Sequence, residues 1–247
     1  MINFNNRSLP SWVRVIRIVR PLLAPINVTS ANINRRSGSL FFSKRFESAN
    51  IQVMLRINTS SREILRQRIR ELAAFFHTER LARLIFSDET DKYIEATLSN
   101  DSPIAETAVF GDVVVNFYCP DPYWYAVNDD TATFTSTGNH NMIRSGTIHS
   151  YPLIRIRGQS TSGSITISSG GNSMRFTGGL SGSATLFLDS RLMTAFIQHG
   201  GGIRTPVMHM LASLDFLVLS PDSNTINVAT SNFTLQDVRI DARSRWL

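Results

Sequence analysis

The chain has 247 residues, of which 42% are hydrophobic and 18% are charged, a composition typical of a globular protein rather than a disordered one. Its length is enough for one large or two modest domains. No stretch approaches the roughly 20 apolar residues that a membrane span needs. The opening MINFNNRSLP lacks the basic-then-apolar pattern of a secretory signal, so we expect no cleaved leader.

The positive charge is carried almost entirely by arginine, because only Lys44 and Lys92 are lysines among 25 basic residues, against 19 acidic ones. The planar, weakly hydrated guanidinium suits carboxylates, phosphates and subunit interfaces. Nucleic-acid binding is an alternative, but the arginines are scattered, whereas a nucleic-acid footprint is normally clustered. Cys119 is alone, so an intramolecular disulfide is excluded, and its apolar surroundings predict a buried thiol.

The first third of the chain contains two predicted strands and a turn. Residues 12–19 alternate loosely between β-branched and basic residues and end at Arg20-Pro21, which predicts a strand. Residues 35–39 have the composition of a turn. Residues 46–57 carry apolar side chains at every second position from Ile51, which predicts a strand with one apolar face.

A helix is predicted from Ser61 to Phe76. Ser60, with Glu63 three positions later, forms the pattern in which each side chain caps the other's backbone N–H. Apolar residues at helical spacing predict that one face packs against the domain. This apolar stripe comprises Leu65, Ile69, Leu72 and Phe76.

The remaining segments predict a mainly β fold with two domains. Residues 82–98 resemble a hairpin with a polar turn at 88–91, and residues 105–119 predict a long strand. After Tyr125 the chain becomes rich in Ser, Thr, Gly and Asn, so a boundary is expected near 130–145, giving domains 1–135 and 136–247. Short β runs separated by glycine turns predict an antiparallel β-sandwich for the second domain, beside a sandwich-type first domain with one helix and a hairpin. These runs are 153–157, 164–167, 173–177, 184–189, 214–219 and 238–243.

The sequence shows no convincing reaction centre. The histidines are widely and irregularly spaced, no HExxH occurs, and the glycine-rich stretches lack the frame of a phosphate-binding loop. The acidic residues of the second half lie largely in or beside turns, where aspartate is common for backbone reasons. We therefore expect no enzymatic activity, metal or cofactor. The aspartates considered are Asp189, Asp215, Asp222, Asp237 and Asp241.

Aromatic and basic residues mark candidate protein interfaces. Phe41-Phe42 stands between two basic pairs, and an aromatic cluster at 123–125 follows Pro120-Asp121-Pro122. Arginines four residues apart make a basic ridge on the predicted helix. Two alternatives stay open: the ridge is a solvated helix face, and the aromatic cluster closes the core of the first domain. The candidate interface residues are Arg20, Arg35, Arg36, Phe41, Phe42, Arg62, Arg66, Arg70, Tyr123, Trp124 and Tyr125.

The run from Val113 to Tyr125, VVVNFYCPDPYWY, resembles the segment that ends the N-terminal domain of the distal tail proteins (Dit) of long-tailed phages. Other segments agree in order with this family, and Leu219–Ile226 resembles its L-x-P-G-x-N-x-I turn. Asp222 departs from the usual glycine of that turn, and the loop 34–42 is more basic than is typical. The other matching segments are FNN at 4–6, VIRIVRP at 15–21, the capped helix, the hairpin at 85–93 and the closing residues 232–247.

The resemblance implies a structural hub of the virion tail tip, assembled in the host cytoplasm. The first domain would form a hexameric ring, with a galectin-like or carbohydrate-module-like sandwich projecting from its rim. The expected partners are copies of the chain itself, the tail tube protein, the tail-associated fibre or lysin protein and a receptor-binding protein. No membrane is expected, and nucleic acid would only pass through the ring channel. An alternative, motivated by Phe233 and Trp246, is a carbohydrate-binding module that contacts host-wall glycans.

Overall fold

A computed structural model describes residues 2–99, 103–106 and 110–247. The chain divides into two compact units, of which the first comprises the residues up to Val127 together with Leu247, and the second comprises Asn128–Trp246. Strands dominate both, and the described ranges contain one α-helix, so the predicted mainly β fold is confirmed. Residues 128–135, expected in the first domain, group with the second because β12 (Thr131–Phe134) pairs with β21 (Thr234–Asp241).

The first unit is built on an antiparallel sheet in the order β2-β1-β7-β8-β10-β6-β3, with a separate two-stranded sheet of β4 and β5. Within the large sheet, β6 buries every second residue, and its neighbour β10 does the same, as the predicted period of two requires. The strands are β1 (Ile2–Phe4), β2 (Arg7–Ser8), β3 (Val13–Val19), β4 (Ile26–Asn32), β5 (Ser39–Phe46), β6 (Ala49–Asn58), β7 (Ala82–Phe86), β8 (Glu89–Leu98), β9 (Ile104–Glu106), β10 (Phe110–Cys119) and β11 (Trp124–Ala126).

The helix α1 (Arg62–Phe76) covers one face of this sheet. Its first residue is preceded by Ser61 rather than the predicted cap Ser60, and the Ser61 hydroxyl accepts a hydrogen bond from the backbone N–H of Ile64 at 3.3 Å. The predicted apolar stripe faces the core, where the ring of Phe76 lies 5.7 Å from that of Phe117. The helix is therefore positioned by packing as well as by its cap.

The strand predicted at 105–119 is wrong in its first part. Residues 104–106 form β9, which pairs antiparallel with β10 in the register Glu106 to Gly111. Residues 107–109, which the prediction placed inside the strand, lie outside the described residues. The β-forming residues of both segments continue one sequence pattern, so composition alone does not separate them.

The second unit is a sandwich of a six-stranded and a four-stranded antiparallel sheet, in the orders β12-β21-β14-β17-β18-β19 and β13-β20-β15-β16. Gly170 and Gly171 both have positive φ and form the two-residue turn between β15 and β16. The remaining elements are β13 (Gly138–Arg144), β14 (Leu153–Gln159), β15 (Ser164–Ser169), β16 (Asn172–Thr177), β17 (Thr185–Asp189), β18 (Thr194–Gln198), β19 (Arg204–Pro206), β20 (Asp222–Ser231), β22 (Arg245–Trp246) and 3-10 turns at Gly200–Gly202 and Met208–Met210.

The prediction of a strand at residues 214–219 needs correction. Residues 214–219 are not a strand, because only Leu219 forms an isolated bridge, to Ser150. The chain instead forms β20, between β13 and β15, just after that segment. Asp222 begins β20 with φ of 65°, so this position needs the left-handed conformation in which the family's glycine is favoured and aspartate is tolerated.

A buried arginine holds one end of the sandwich. The side chain of Arg144 is only 2% exposed, and its guanidinium donates hydrogen bonds to backbone carbonyls of Ser145 at 2.7 Å and Ser220 at 2.9 Å. It also donates to the carbonyls of Ile148 and Leu219. Burial, together with nearby Arg245, lowers the pKa of Arg144. These bonds tie the loop after β13 to the segment that precedes β20.

Candidate interaction surfaces

The strands β4 and β5 form a hairpin in which each strand pairs with the other and with no further strand of the described ranges. All residues of both strands are exposed except Phe46, which is partly buried. Phe41 is 61% and Phe42 is 62% exposed, and the uncovered apolar side chains extend along the hairpin. An isolated two-stranded hairpin is at best marginally stable in water, so this one needs a partner surface. The other exposed apolar residues are Ile26, Val28, Ile33 and Leu40.

The hairpin also carries positive charge, and a β-bulge interrupts its pairing at the aromatic residues. Arg35 and Arg36 lie in the exposed connection between its strands, where Arg35 has φ of 65°, within the predicted turn. Thr29 pairs with Ser43, and the next residue, Ser30, pairs with Phe41. Phe42 is therefore the extra residue of a β-bulge, which disturbs the alternation of side chains between the two faces.

A cavity of about 380 Å³ opens in the first unit where the hairpin begins and ends. We call it the Arg20 cavity. Leu22, on its wall, is 95% exposed although it is one of the most apolar residues in the chain. Other apolar residues that line it are Leu23, Ala24, Phe46, Ile51 and Trp124.

Arg20 is held in place on the wall of this cavity by aromatic and acidic neighbours. Its guanidinium lies 4.0 Å from the ring centroid of Phe86 and 5.8 Å from that of Trp124. It also forms two hydrogen bonds to Asp88, at 2.8 and 2.9 Å, and lies 3.5 Å from Glu89. The Arg20 guanidinium lowers the pKa of Asp88, so the pair stays ionised at neutral pH.

The aromatic cluster at 123–125 divides between core and cavity. Tyr125 is 5% exposed, and its hydroxyl donates a 2.6 Å hydrogen bond to Asp121, so its ring is not available as a surface contact. Trp124 lines the Arg20 cavity, and Tyr123 makes an edge contact with Phe46 at 6.3 Å between centroids. The alternative interpretation, a cluster that closes the core, therefore describes Tyr125 and in part Trp124, which also packs against the core of the first unit.

The arginine ridge of α1 is exposed along its length. Arg62, Arg66 and Arg70 all lie on the solvent side of the helix, as their spacing predicts. Arg66 lies 3.2 Å from Glu106 of β9, with both side chains partly exposed. An exposed pair of this kind contributes little to stability. The ridge stays a candidate interface, and the solvated face stays its alternative.

Three of the five second-half aspartates that were considered for catalysis form ion pairs with arginines of their own or neighbouring strands and loops. Asp237 accepts a hydrogen bond from Arg157 at 2.8 Å, and Asp241 pairs with Arg155 and with Arg239. Asp189 pairs with Arg243 at 2.6 Å. Each of these three carboxylates is therefore used to hold neighbouring strands or loops together.

The described ranges contain neither a membrane-spanning helix nor a metal-binding cluster of side chains. None of the helices found there is long and apolar enough to cross a membrane. Among the same residues, no cluster of three or more His, Cys, Asp or Glu side chains is arranged to hold a metal ion.

Comparison with known proteins gives the class of the first unit. Residues 12–119 match the family model described as a phage tail protein RIFT-related domain. These residues include β3, the exposed hairpin, the helix and the strand that ends at Cys119. No curated protein matches the chain significantly.

The fold of the whole chain is that of a distal tail protein. The crystal structure of the Dit protein of phage SPP1 superposes with a TM-score of 0.82 at 16% identity, covering 100% of this chain and 98% of that one. It is described as a paradigm of the hub adsorption apparatus in phages that infect Gram-positive bacteria. The predicted resemblance to siphophage distal tail proteins is confirmed by this fold and by the family match of residues 12–119.

Two chains of the phage p2 baseplate are more distant. In the activated conformation with strontium the TM-score is 0.53 at 8% identity, over 93% of this chain and 90% of that one. In the activated conformation with calcium it is 0.54 at 8% identity, over 96% and 92%. These values show a shared fold.

Proposed function

We propose that this chain is a structural hub subunit of the phage tail tip, which assembles with copies of itself into a ring. Six subunits are expected from the resemblance. The ring would join the tail tube protein to the tail-associated fibre or lysin protein and carry host-adsorption components such as a receptor-binding protein. DNA would pass through its channel without specific binding. The likeness to SPP1 Dit, a hub protein, and to chains of the p2 baseplate supports this proposal.

The exposed β4–β5 hairpin is the observation that carries the proposal. Its phenylalanines are more than half exposed, and large uncovered apolar surfaces mark protein interfaces. Burying one phenylalanine side chain fully is worth roughly 1.5–3 kcal/mol. Covering Phe41 and Phe42 with another subunit would therefore stabilise an assembly substantially.

Self-association through such a projection is a heterologous contact, since the hairpin of one copy meets a different surface of the next. Repeated heterologous contacts give a closed ring when the rotation between subunits closes, and a filament when it does not. The family match and the fold favour the ring.

We propose no enzymatic role. Three of the five aspartates of the second unit that were considered for a carboxylate pair, Asp189, Asp237 and Asp241, are held by arginines. Burial raises the pKa of the Cys119 thiol to about 12, so this cysteine is not a thiolate nucleophile at neutral pH. These side chains stabilise the fold of each unit.

The alternative of a carbohydrate-binding module was motivated by Phe233 and Trp246, and the position of Phe233 does not support it. Phe233 is buried in the core of the sandwich, beside Gly158, instead of being presented to solvent. Its aromatic ring is thus used for packing. A calorimetric titration with host-wall glycans tests this alternative, and no heat of binding is expected.

The ring is tested by the mass and shape of the purified chain. Sedimentation at tens of micromolar should give a species several times heavier than the 27.6 kDa monomer, and negative-stain images should show a ring with a central channel. A strictly monomeric chain under these conditions would overturn the proposal. A control in which residues 28–44 are replaced by a short Gly-Ser linker should be monomeric and folded.

A further inference from the structure

The Arg20 cavity has the size and lining to bind aromatic side chains. Its volume is about 380 Å³, whereas a cavity of roughly 150 Å³ can hold a benzene ring. Ala49, Ile51 and Ile94 are buried side chains on its wall, and Leu22 stands almost fully exposed beside the opening. These apolar side chains, with an exposed leucine at the rim, favour an apolar occupant, and Arg20 and Glu89 form the polar part of the lining.

The aromatic pair of the same chain, Phe41 with Phe42, is held away from this cavity. Phe46, at the end of β5, lines the cavity, and the aromatic pair lies four to five residues back along the same strand. At about 3.3 Å per residue, the strand separates the pair from Phe46 by roughly 13–17 Å. The pair can enter its own cavity only if the β4–β5 ladder breaks, so the available cavity belongs to another copy.

The bulge at Phe42 makes both rings available for one site. In a regular strand, neighbouring side chains point to opposite faces, and only one of two adjacent phenylalanines could enter a given cavity. A bulge breaks this alternation and redirects a side chain. The extra residue at Phe42 therefore allows two adjacent rings to approach the same surface.

The charges around the two surfaces have opposite sign. The hairpin bears Arg35, Arg36, Lys44 and Arg45, all exposed. The segment 88–91, which comprises the end of the β7–β8 turn and the start of β8, bears Asp88, Glu89 and Asp91, whose ion pairs involve two cations, Arg20 and Lys92. Three carboxylates against two cations leave this segment acidic. Opposite charges at a rim steer association and set its orientation.

We infer that the aromatic pair of one copy occupies the Arg20 cavity of the neighbouring copy in the ring. This inference rests on the proposed function and specifies its subunit contact. Each subunit then offers two different surfaces, the aromatic pair on the hairpin and the cavity at its base, as a heterologous contact requires.

Two double variants of the full chain remove the two halves of the contact. F41S/F42S removes the aromatic pair, and L22R/L23R places positive charge at the cavity opening, where the basic hairpin would be repelled. Each should weaken association by about 100-fold or more, because central aromatic anchors dominate interface energies. All four positions are exposed, so both variants should fold. Matched controls at exposed positions of the second unit, I143S and L192R, should assemble like the unchanged chain.

Mixing the two variants gives a result that general damage would not produce. The F41S/F42S chain keeps its cavity, and the L22R/L23R chain keeps its aromatic pair, so one productive contact forms between them and none can follow. Sedimentation should show monomers for each variant alone and a one-to-one heterodimer for the mixture.

Crosslinking locates the contact directly. With a bismaleimide reagent, a mixture of F42C and L22C chains should give a crosslinked dimer, and the F42C/L22C double variant should give a ladder of higher species. Cys119 is buried, so the unchanged chain supplies the unreactive control. If the F41S/F42S chain still forms a ring, or if a ring forms without the F42C–L22C crosslink, this contact is wrong. The proposal of a ring would not be affected by either result. A monomeric unchanged chain would instead overturn the proposed function.

Discussion

The antiparallel strand pairs β15–β16 and β4–β5 are both joined by backbone hydrogen bonds, but they differ in how far their side chains are buried. In β15 and β16, the buried residues Ile165, Ile167, Met174 and Phe176 alternate with more exposed ones and pack into the core of the sandwich. In β4 and β5, the apolar residues face solvent. Antiparallel backbone pairing is thus compatible with buried and with exposed apolar side chains. Stability comes from side-chain burial, which the first pair obtains within its unit and the second must obtain from a partner.

The largest expected effect is at the buried aromatic of the sandwich pair. Phe176→Ala should lower the free energy of unfolding of the second unit by roughly 3–5 kcal/mol, because it removes a fully buried ring and leaves a cavity. Urea denaturation followed by a probe of the second unit measures this. A loss below about 1 kcal/mol would show that the two strand pairs do not differ in burial as described.

The next effect concerns the buried polar anchoring of the sandwich by Arg144. Arg144→Met should cost roughly 2–4 kcal/mol of unfolding free energy, because buried carbonyls would lose their donor. The exposed Arg239→Met is the matched control and should cost about 1 kcal/mol or less. Equal losses in the two variants would contradict a structural role for Arg144.

A smaller, pH-dependent effect is expected at Asp189. Burial raises the pKa of this carboxyl, but hydrogen bonds from Arg243 and from backbone N–H groups lower it more, so the net pKa is below its ordinary value. The stabilisation is therefore complete above the unfolded pKa of about 4 and is lost as the pH falls through the lower folded pKa. Asp189→Asn should cost roughly 1.5–3 kcal/mol at neutral pH and flatten the acid side of the stability profile. An unchanged acid slope would assign the acid sensitivity to other groups.

The smallest effect on folding should come from the exposed aromatic that matches Phe176 in type. Phe42→Ala should change the unfolding free energy of the monomer by less than about 0.5 kcal/mol, as most exposed substitutions do. The monomer is prepared by dilution, and its urea transition is compared with that of the unchanged chain. A large loss in the monomer would mean that the hairpin is stabilised within its own chain.

Much of the fold could be predicted where one face of an element is buried. The alternation in β6 and the helical stripe on α1 were readable because packing selects apolar residues at a fixed period. The exposed hairpin was predicted only as a turn at 35–39. With no buried face, β4 has no such alternation, and INVTSAN reads like a loop. The strand β20 was missed because a turn motif overlaps its beginning at Asp222.

The candidate surface was predicted in its composition and not in its geometry. Residue types singled out the basic aromatic segment at 41–42 and the positions Arg20 and Trp124. Arg20 contacts the rings of Phe86 and Trp124, which are distant from it in the sequence. Such long-range packing cannot be predicted from a local sequence pattern. The same packing decided that Tyr125 is buried, which neighbouring residues in the sequence could not show.

The basic residues on the hairpin have a consequence for copies that have not yet joined a ring. An uncovered, apolar strand pair is a hazard, since two of them can stack or pair without order and precipitate. Arg35, Arg36, Lys44 and Arg45 give every free hairpin the same charge, so two free hairpins repel each other. Added salt screens this repulsion within about 10 Å at 0.1 M. Stocks of the protein should therefore remain clear at low ionic strength and become turbid as salt is raised.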